Sequence, residues 1–207
     1  MSLPHRLSTP SRSVLVLASG STARLRILRG AGIEPEVLVS GADESNPDDL
    51  PTADLVTVLA ERKAAAVARL RPQALVLGCD SMLDLDGTAV GKPATAQQVV
   101  AVWHRLRGRT GTLYTGHRLI VGGTGVSVGG VAATLIRFGR PTHAEIAAYA
   151  ATDEPLALAG AFSIDGLAAP FVDGIDGDPS NVIGLSLPLL RRLLADVGIT
   201  ITDLWRD

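Results

Sequence analysis

Residues 119–136 carry no charged side chain, and this segment narrows the possible folds more than any other part of the chain. In length and apolarity it approaches what a membrane-crossing helix needs. Gly122, Gly123, Gly125, Gly129 and Gly130 make it a poor helix former, whereas Thr124-Gly125 between valine-rich flanks suits the turn of a β-hairpin. The expectation is two long antiparallel strands, not a membrane span.

Around this hairpin, strand-like and helix-like segments alternate. Residues 14–18 form a short apolar run ending in Ser19-Gly20-Ser21, and residues 24–31 carry Leu25 and Leu28 at helical spacing until Gly32 stops them. Residues 37–39 read as a second strand, 41–51 as a polar acidic loop, and 52–70 as a helix containing Lys63. A buried strand is predicted over 74–85, a tight turn at Asp86-Gly87, and a return strand over 88–90 leading to Gly91-Lys92-Pro93. Thr95 suits the cap of a helix over 95–106, and Thr142 the cap of another over 142–150. Residues 153–181 are crowded with Gly, Pro and Asp, and 188–197 supply a last amphipathic helix. No internal repeat is present, so the class is α/β with a mixed sheet.

A chain of 207 residues can bury one sizeable core, so a single domain over 14–207 is expected, preceded by a loosely packed tail over 1–13. That tail holds Pro4, His5, Arg6 and Pro10 and lacks the apolar run of a secretion signal. Aromatic residues are scarce at 3%, which leaves Ala, Val and Leu to fill most of the core and removes the stacking platforms of single-strand binders. A net charge of -2 lacks the cationic excess that a polyanion requires. Any anionic ligand is therefore small and held locally, and neither a nucleic-acid polymer nor a membrane is expected as a partner. The single cysteine, Cys79, excludes an intramolecular disulfide and a multi-cysteine zinc site. It fits a reducing cytoplasm and reads as a small buried apolar residue.

Two groups of residues carry chemistry. Ser19-Gly20-Ser21-Thr22-Ala23-Arg24 stands where a buried strand hands over to a helix, so free backbone N–H groups favour a phosphate and Arg24 can fork onto its oxygens. The plainer alternative is that Ser21 or Thr22 caps the helix and Arg24 is solvated. The second group is Asp43-Glu44, Lys63, Asp80 and Lys92. Lys63 taken alone reads as a solvated helix face. Asp80 follows the apolar run 74–77, and a carboxylate there needs a charged partner, a metal or a shifted pKa. Phosphoanhydride hydrolysis needs such a group to hold Mg²⁺ or deprotonate water, with cations to offset charge on the leaving pyrophosphate. A rival motif overlaps it: Asp84-Leu85-Asp86-Gly87-Thr88 resembles the nucleophile motif of haloacid-dehalogenase-type phosphatases, with Asp84 phosphorylated and Asp86 as acid. That motif normally ends the first strand of its domain, whereas a strand, loop and helix precede it here.

Taken together, the motifs resemble the Maf family, in its actinobacterial-type wording. They are Leu17-Ala18-Ser19-Gly20-Ser21 with Arg24, Asp43-Glu44-Ser45, Lys63-Ala64, Gly78-Cys79-Asp80-Ser81, Gly91-Lys92-Pro93, Arg107-Gly108-Arg109, Tyr114-Thr115-Gly116, Ala159-Gly160-Ala161-Phe162 and Asn181-Val182-Ile183-Gly184-Leu185. The resemblance implies an elongated mixed β-sheet with flanking helices and two lobes around a central cleft. It implies a nucleoside triphosphate pyrophosphatase that uses a divalent cation, Mg²⁺, Mn²⁺ or Co²⁺, and it allows a homodimer. By position, Asp80 matches the general base, Asp80 and Glu44 the metal contacts, and Ser19, Ser21, Arg24, Lys63 and Lys92 the substrate contacts. Ser81 and Asp165 match further substrate contacts. With Ala23 they depart from the pyrimidine-triphosphate branch, where arginine, threonine and glutamine stand at 23, 81 and 165. Leu158 replaces a usual lysine. A nucleotide-binding regulator without turnover is the second reading.

Overall fold

The computed structural model describes residues 14–46 and 49–206, so the expected tail lies outside the described residues. Seven strands of the described residues form one mixed sheet: β1 Leu15–Leu17, β2 Glu36–Val37, β3 Leu75–Leu85, β4 Thr88–Val90, β5 Thr110–Val121, β6 Val126–Phe138 and β7 Val172–Asp176. The order is β2-β1-β3-β5-β6-β7, with β4 paired to β3. β1 runs parallel to β2 and β3, and every other pairing is antiparallel. The uncharged hairpin is β5–β6, and at roughly 3.3 Å per residue β6 extends about 40 Å, which makes the sheet long.

Among the described residues six α-helices flank it: α1 Thr22–Gly30, α2 Thr52–Leu70, α3 Ala96–Leu106, α4 His143–Ala150, α5 Pro179–Ile183 and α6 Leu187–Asp196. Ser21, Thr95 and Thr142 each cap a helix, Thr142 within a full capping box with Glu145. Asp86 and Gly87 both have positive φ, 56° and 76°, as the tight β3–β4 turn requires. The Gly/Pro/Asp-rich region contains two elements that its sequence pattern does not announce, β7 and α5. No helix among the described residues is long and apolar enough to cross a membrane.

Alternation along β3 distributes its two faces. Leu75, Leu77 and Cys79 join Leu17, Leu28 and the α6 leucines in one core, while Val76 packs with Val16, Ala18, Ala64 and Val67 beneath α2. Further along the same strands, Leu83, Leu85, Leu113, Ile136 and Phe138 belong to a third cluster built around Trp103. The scarce aromatics gather there: Phe138, Tyr149 and Phe171 meet the Trp103 ring edge-on, and Phe138 meets Phe162 likewise. The long strands thus run through two lobes.

Between the lobes the sheet has a gap. On one edge of β3, β1 pairs with Leu75–Leu77 and β4 with Leu83–Leu85, so residues 78–82 have no strand neighbour on that edge. On the opposite edge β5 pairs continuously past them. This open edge is the cleft.

Candidate active site

Asp80 sits at the middle of the gap, and what brings chemistry to it is α2. Gly78 on β3 and Gly116 on β5 lie under that helix, and a Cβ on Gly78 would come within 2.3 Å of the Ala60 carbonyl oxygen, one on Gly116 within 2.2 Å of that of Val56. Two missing side chains therefore let the helix backbone settle onto the sheet. That close seat carries Lys63 to Asp80: Nζ lies 2.5 Å from Oδ1, with both residues 7% exposed. Lys63 is thus not a solvated lysine. The same Nζ is 2.7 Å from Glu44 Oε1. Arg62 beside it donates to the backbone oxygens of Asp43 and Ser45 at 3.3 and 3.0 Å, which ties the acidic loop to α2. The Lys63 hydrogen bond holds the Glu44 carboxyl below the usual value for glutamate, against the opposing effect of burial, and the Lys92 and Arg24 charges add to it.

The other face of β3 holds the second cluster. Arg24 is 8% exposed. Its Nε donates to Gly184 O at 2.8 Å, Nη1 to Ser19 Oγ at 3.0 Å and Nη2 to Ser81 Oγ at 3.0 Å. Ser21 caps α1 by accepting from Arg24 N at 3.4 Å, so the capping alternative holds for Ser21 while solvation does not hold for Arg24. Asp80 and Ser81 are consecutive and point to opposite faces, so the two clusters can act on one ligand only around the open edge of β3. Lys92 is exposed beyond β4, lining a groove with Gln98 and Arg105. Asp165 stands apart: its carboxylate is engaged by exposed Arg26 and by Ser163.

Asp84 is otherwise occupied. Its Oδ2 accepts from Thr52 Oγ1 at 2.5 Å at the start of α2, and its Oδ1 from Gly87 N at 2.8 Å in the turn, while Asp86 pairs with Arg109. Cys79 is buried in the core, and burial pushes its thiol up to about 12, so it is an inert apolar residue as expected.

A model described as "Maf-like protein" matches residues 14–197. The chain belongs to the Maf-like family. A Streptomyces coelicolor member named nucleoside triphosphate pyrophosphatase is 59% identical to this Maf-like chain over 197 residues, 94% of this chain and 95% of that one. Relatives of the same name from Streptomyces avermitilis and Salinispora tropica are 54% and 52% identical, covering 94% and 92% of this chain and 95% and 87% of their own. Among solved structures, the Staphylococcus aureus Ham1 protein aligns with a TM-score of 0.44 at 14% identity, over 60% of this chain and 71% of that one.

Residues to which the sequence pattern gave no site role, several of them within its motifs, also stand at this Maf-like site. Thr115, His117, Asn181, Gly184 and Ser186 form its floor behind Arg24 and Ser81, and no spacing in the chain signals their convergence. His117, 2% exposed, accepts from Ser186 N through Nε2 at 2.9 Å, so Nδ1 carries the hydrogen donated to Thr115 O at 3.0 Å. Burial lowers its pKa from 6.5 to about 4, with the Thr115 carbonyl and the Asp178 charge opposing and the Arg24 charge assisting. The folded pKa is the lower one, so the unfolded chain binds more protons between these values and stability rises with pH there. On the order of 3 kcal/mol, present above pH 6.5, is expected to be lost as pH falls through 4. Urea unfolding from pH 7 to 4 measures it, and His117→Gln should lack this component. An equal slope in wild type and variant would refute the assignment.

Proposed function

We propose that this chain is a nucleoside triphosphate pyrophosphatase that cuts its substrate between the α and β phosphates, giving a nucleoside monophosphate and pyrophosphate. The observation that carries the reading onto these residues is Arg24. It is a buried guanidinium with no carboxylate partner among the described residues, and the second hydrogen on each terminal nitrogen remains for an anion. A buried cation is costly without a counter-charge, and a phosphate at the open edge of β3 supplies one.

In this reading Asp80 takes a proton from water as the water oxygen bonds to the α-phosphorus and the bond to the bridging oxygen breaks. Lys63 holds Asp80 and Glu44 together, and Lys63, Lys92 and Arg24 offset the charge that builds on the phosphates. The donor set fits a hard divalent cation, since Glu44 and Asp80 lie close enough together to share the Lys63 ammonium and such ions commonly take one or two carboxylates with substrate phosphates. Glu44 and Asp80 would hold it, and a bound cation supplies charge neutralisation at the phosphoryl oxygens. The reading extends to a cytoplasmic enzyme of free nucleotides, as a monomer or a homodimer. Ala23 further supports broad base choice, since alanine removes a long donor there, while Asp165, engaged by Arg26 and Ser163, adds nothing to it.

The test is pyrophosphate release from dTTP, UTP, CTP, GTP and methylated GTP with Mg²⁺, Mn²⁺ or Co²⁺. Pyrophosphate is the expected product, with dTTP and UTP favoured over the rest by less than about tenfold in kcat/KM, or 1.4 kcal/mol. Binding without release would favour the regulator, and orthophosphate from phosphomonoesters the phosphatase mechanism.

A further inference from the structure

The motifs at 114–116 and 181–185 meet behind Arg24. Thr115 is 0% exposed, and its Oγ1 donates to the Asn181 backbone oxygen at 3.2 Å. With its hydrogen used there, Thr115 Oγ1 acts as acceptor in its 2.9 Å contact with Ser81 Oγ. Ser81 Oγ in turn accepts from Arg24 Nη2 at 3.0 Å. Ser81 has a second acceptor in Gly184 O at 3.4 Å, but its contact to Thr115 is shorter by half an ångström and takes the hydrogen, so the hydrogens run from the guanidinium through Ser81 and Thr115 to the Asn181 carbonyl. Ser81 has no hydrogen left for a nucleobase in this arrangement, and its oxygen serves Arg24.

The far end of this chain is anchored. Asn181 is 0% exposed, and its Nδ2 donates to Leu113 O at 3.1 Å and to Thr134 Oγ1 at 3.0 Å, which ties α5 to β5 and β6. Gly184 ends α5 with φ of 127° and presents the carbonyl that accepts Arg24 Nε at 2.8 Å. Both acceptors that orient the guanidinium plane, Ser81 Oγ and Gly184 O, are thus set by the seat of α5 on the sheet. Ser19 supplies the third.

We propose that Thr115, held by α5 through Asn181, is a positioning residue that acts through Ser81 to aim the two remaining N–H groups of Arg24 at substrate phosphate. The proposal rests on the reading of Arg24 as a phosphate contact and extends it to a residue that touches no substrate. A purely structural threonine would stabilise the fold without depending on Arg24.

A double-mutant cycle in kcat/KM for pyrophosphate release separates the two. Thr115→Val, which keeps the shape and removes the hydroxyl, is expected to lower kcat/KM about tenfold in the wild-type background but less than about twofold in an Arg24→Gln background. Thr115→Ser, which keeps the hydroxyl, should stay within about twofold of wild type. Thermal unfolding of each variant checks that the fold persists, and Thr115→Cys takes the place of Thr115→Val in the cycle if the valine variant does not fold. Equal losses in both backgrounds, or no loss in the wild-type background, would overturn the positioning role. An Arg24→Gln variant with wild-type kcat/KM would overturn it too, and would trace the failure to Arg24 as a phosphate contact.

Discussion

Asp80→Asn is expected to lower pyrophosphate release by about 10³-fold or more while nucleotide affinity stays within about tenfold. The amide keeps the size of the carboxylate and can still accept from Lys63, which retains Glu44 as a charged partner 2.7 Å away. It cannot take a proton from water. Turnover and binding should therefore separate, with kcat measured by pyrophosphate release and affinity by calorimetry with a non-hydrolysable α,β-bridged analogue. Asp84→Asn is the companion variant. It disturbs the contacts to Thr52 and Gly87, so its effect should fall on stability far more than on kcat. Loss of turnover in Asp84→Asn with retention in Asp80→Asn would reverse the assignment.

The largest structural effect is expected from one methyl group. An alanine at Gly78 would place Cβ 2.3 Å from the Ala60 oxygen, 2.7 Å from the Ala64 nitrogen and 2.8 Å from the Ala64 Cβ. The first two are helix backbone, so the strain has no flexible side chain to absorb it. Gly78→Ala should cost at least the upper end of the ~1–3 kcal/mol typical of overpacking. Relief requires α2 to rise from the sheet, and α2 carries Lys63. A shift of roughly 1 Å at a positioned group is enough to cost on the order of 10²-fold in rate. Activity should thus fall even in the fraction that remains folded. The control is Gly30→Ala at the end of α1, where an added Cβ meets nothing within 4 Å and the helical backbone favours alanine. That variant should be neutral or slightly stabilised. Urea unfolding with pyrophosphate release decides both, and a Gly78→Ala protein of wild-type stability and rate would show that the helix seat is not what places Lys63.

Much of the chain's architecture is local and could be read from its residues. The α2 helix over 52–70 and the return strand over 88–90 match the expected bounds, because each is delimited by its own periodicity and turn chemistry. The uncharged stretch gave its hairpin for the same reason, since glycine and valine exclude a long helix whatever surrounds them. The elements β7 and α5 escaped, lying in a segment whose Gly, Pro and Asp content signals turns. β7 is defined by pairing with β6, and α5 by an Asn181 side chain that bonds to two distant strands. Short elements of that kind owe their form to partners far away in the chain.

The same division runs through the site. The residue types for phosphate chemistry, Arg24, Glu44, Lys63, Asp80 and Lys92, were legible as isolated charges in apolar or loop contexts, and an ordered set of motifs linked them. Lys63 on its own looked like a solvated lysine, and only the glycine seat beneath α2 turns it to Asp80. Its place at a strand-to-helix junction leaves Arg24 open to two readings, and the structure decides between them by bringing three acceptors to it from three separate parts of the chain. By itself the sequence determined the class of fold, the hairpin and the chemical groups at hand, because those follow from local propensity and side-chain type. The tertiary structure alone decided that β3 is left open between β1 and β4, that consecutive residues Asp80 and Ser81 serve opposite faces of that edge, and that a buried hydroxyl chain leads from Arg24 to α5. These depend on long-range pairing and on close approach of backbones, and neither leaves a period or a spacing in the chain.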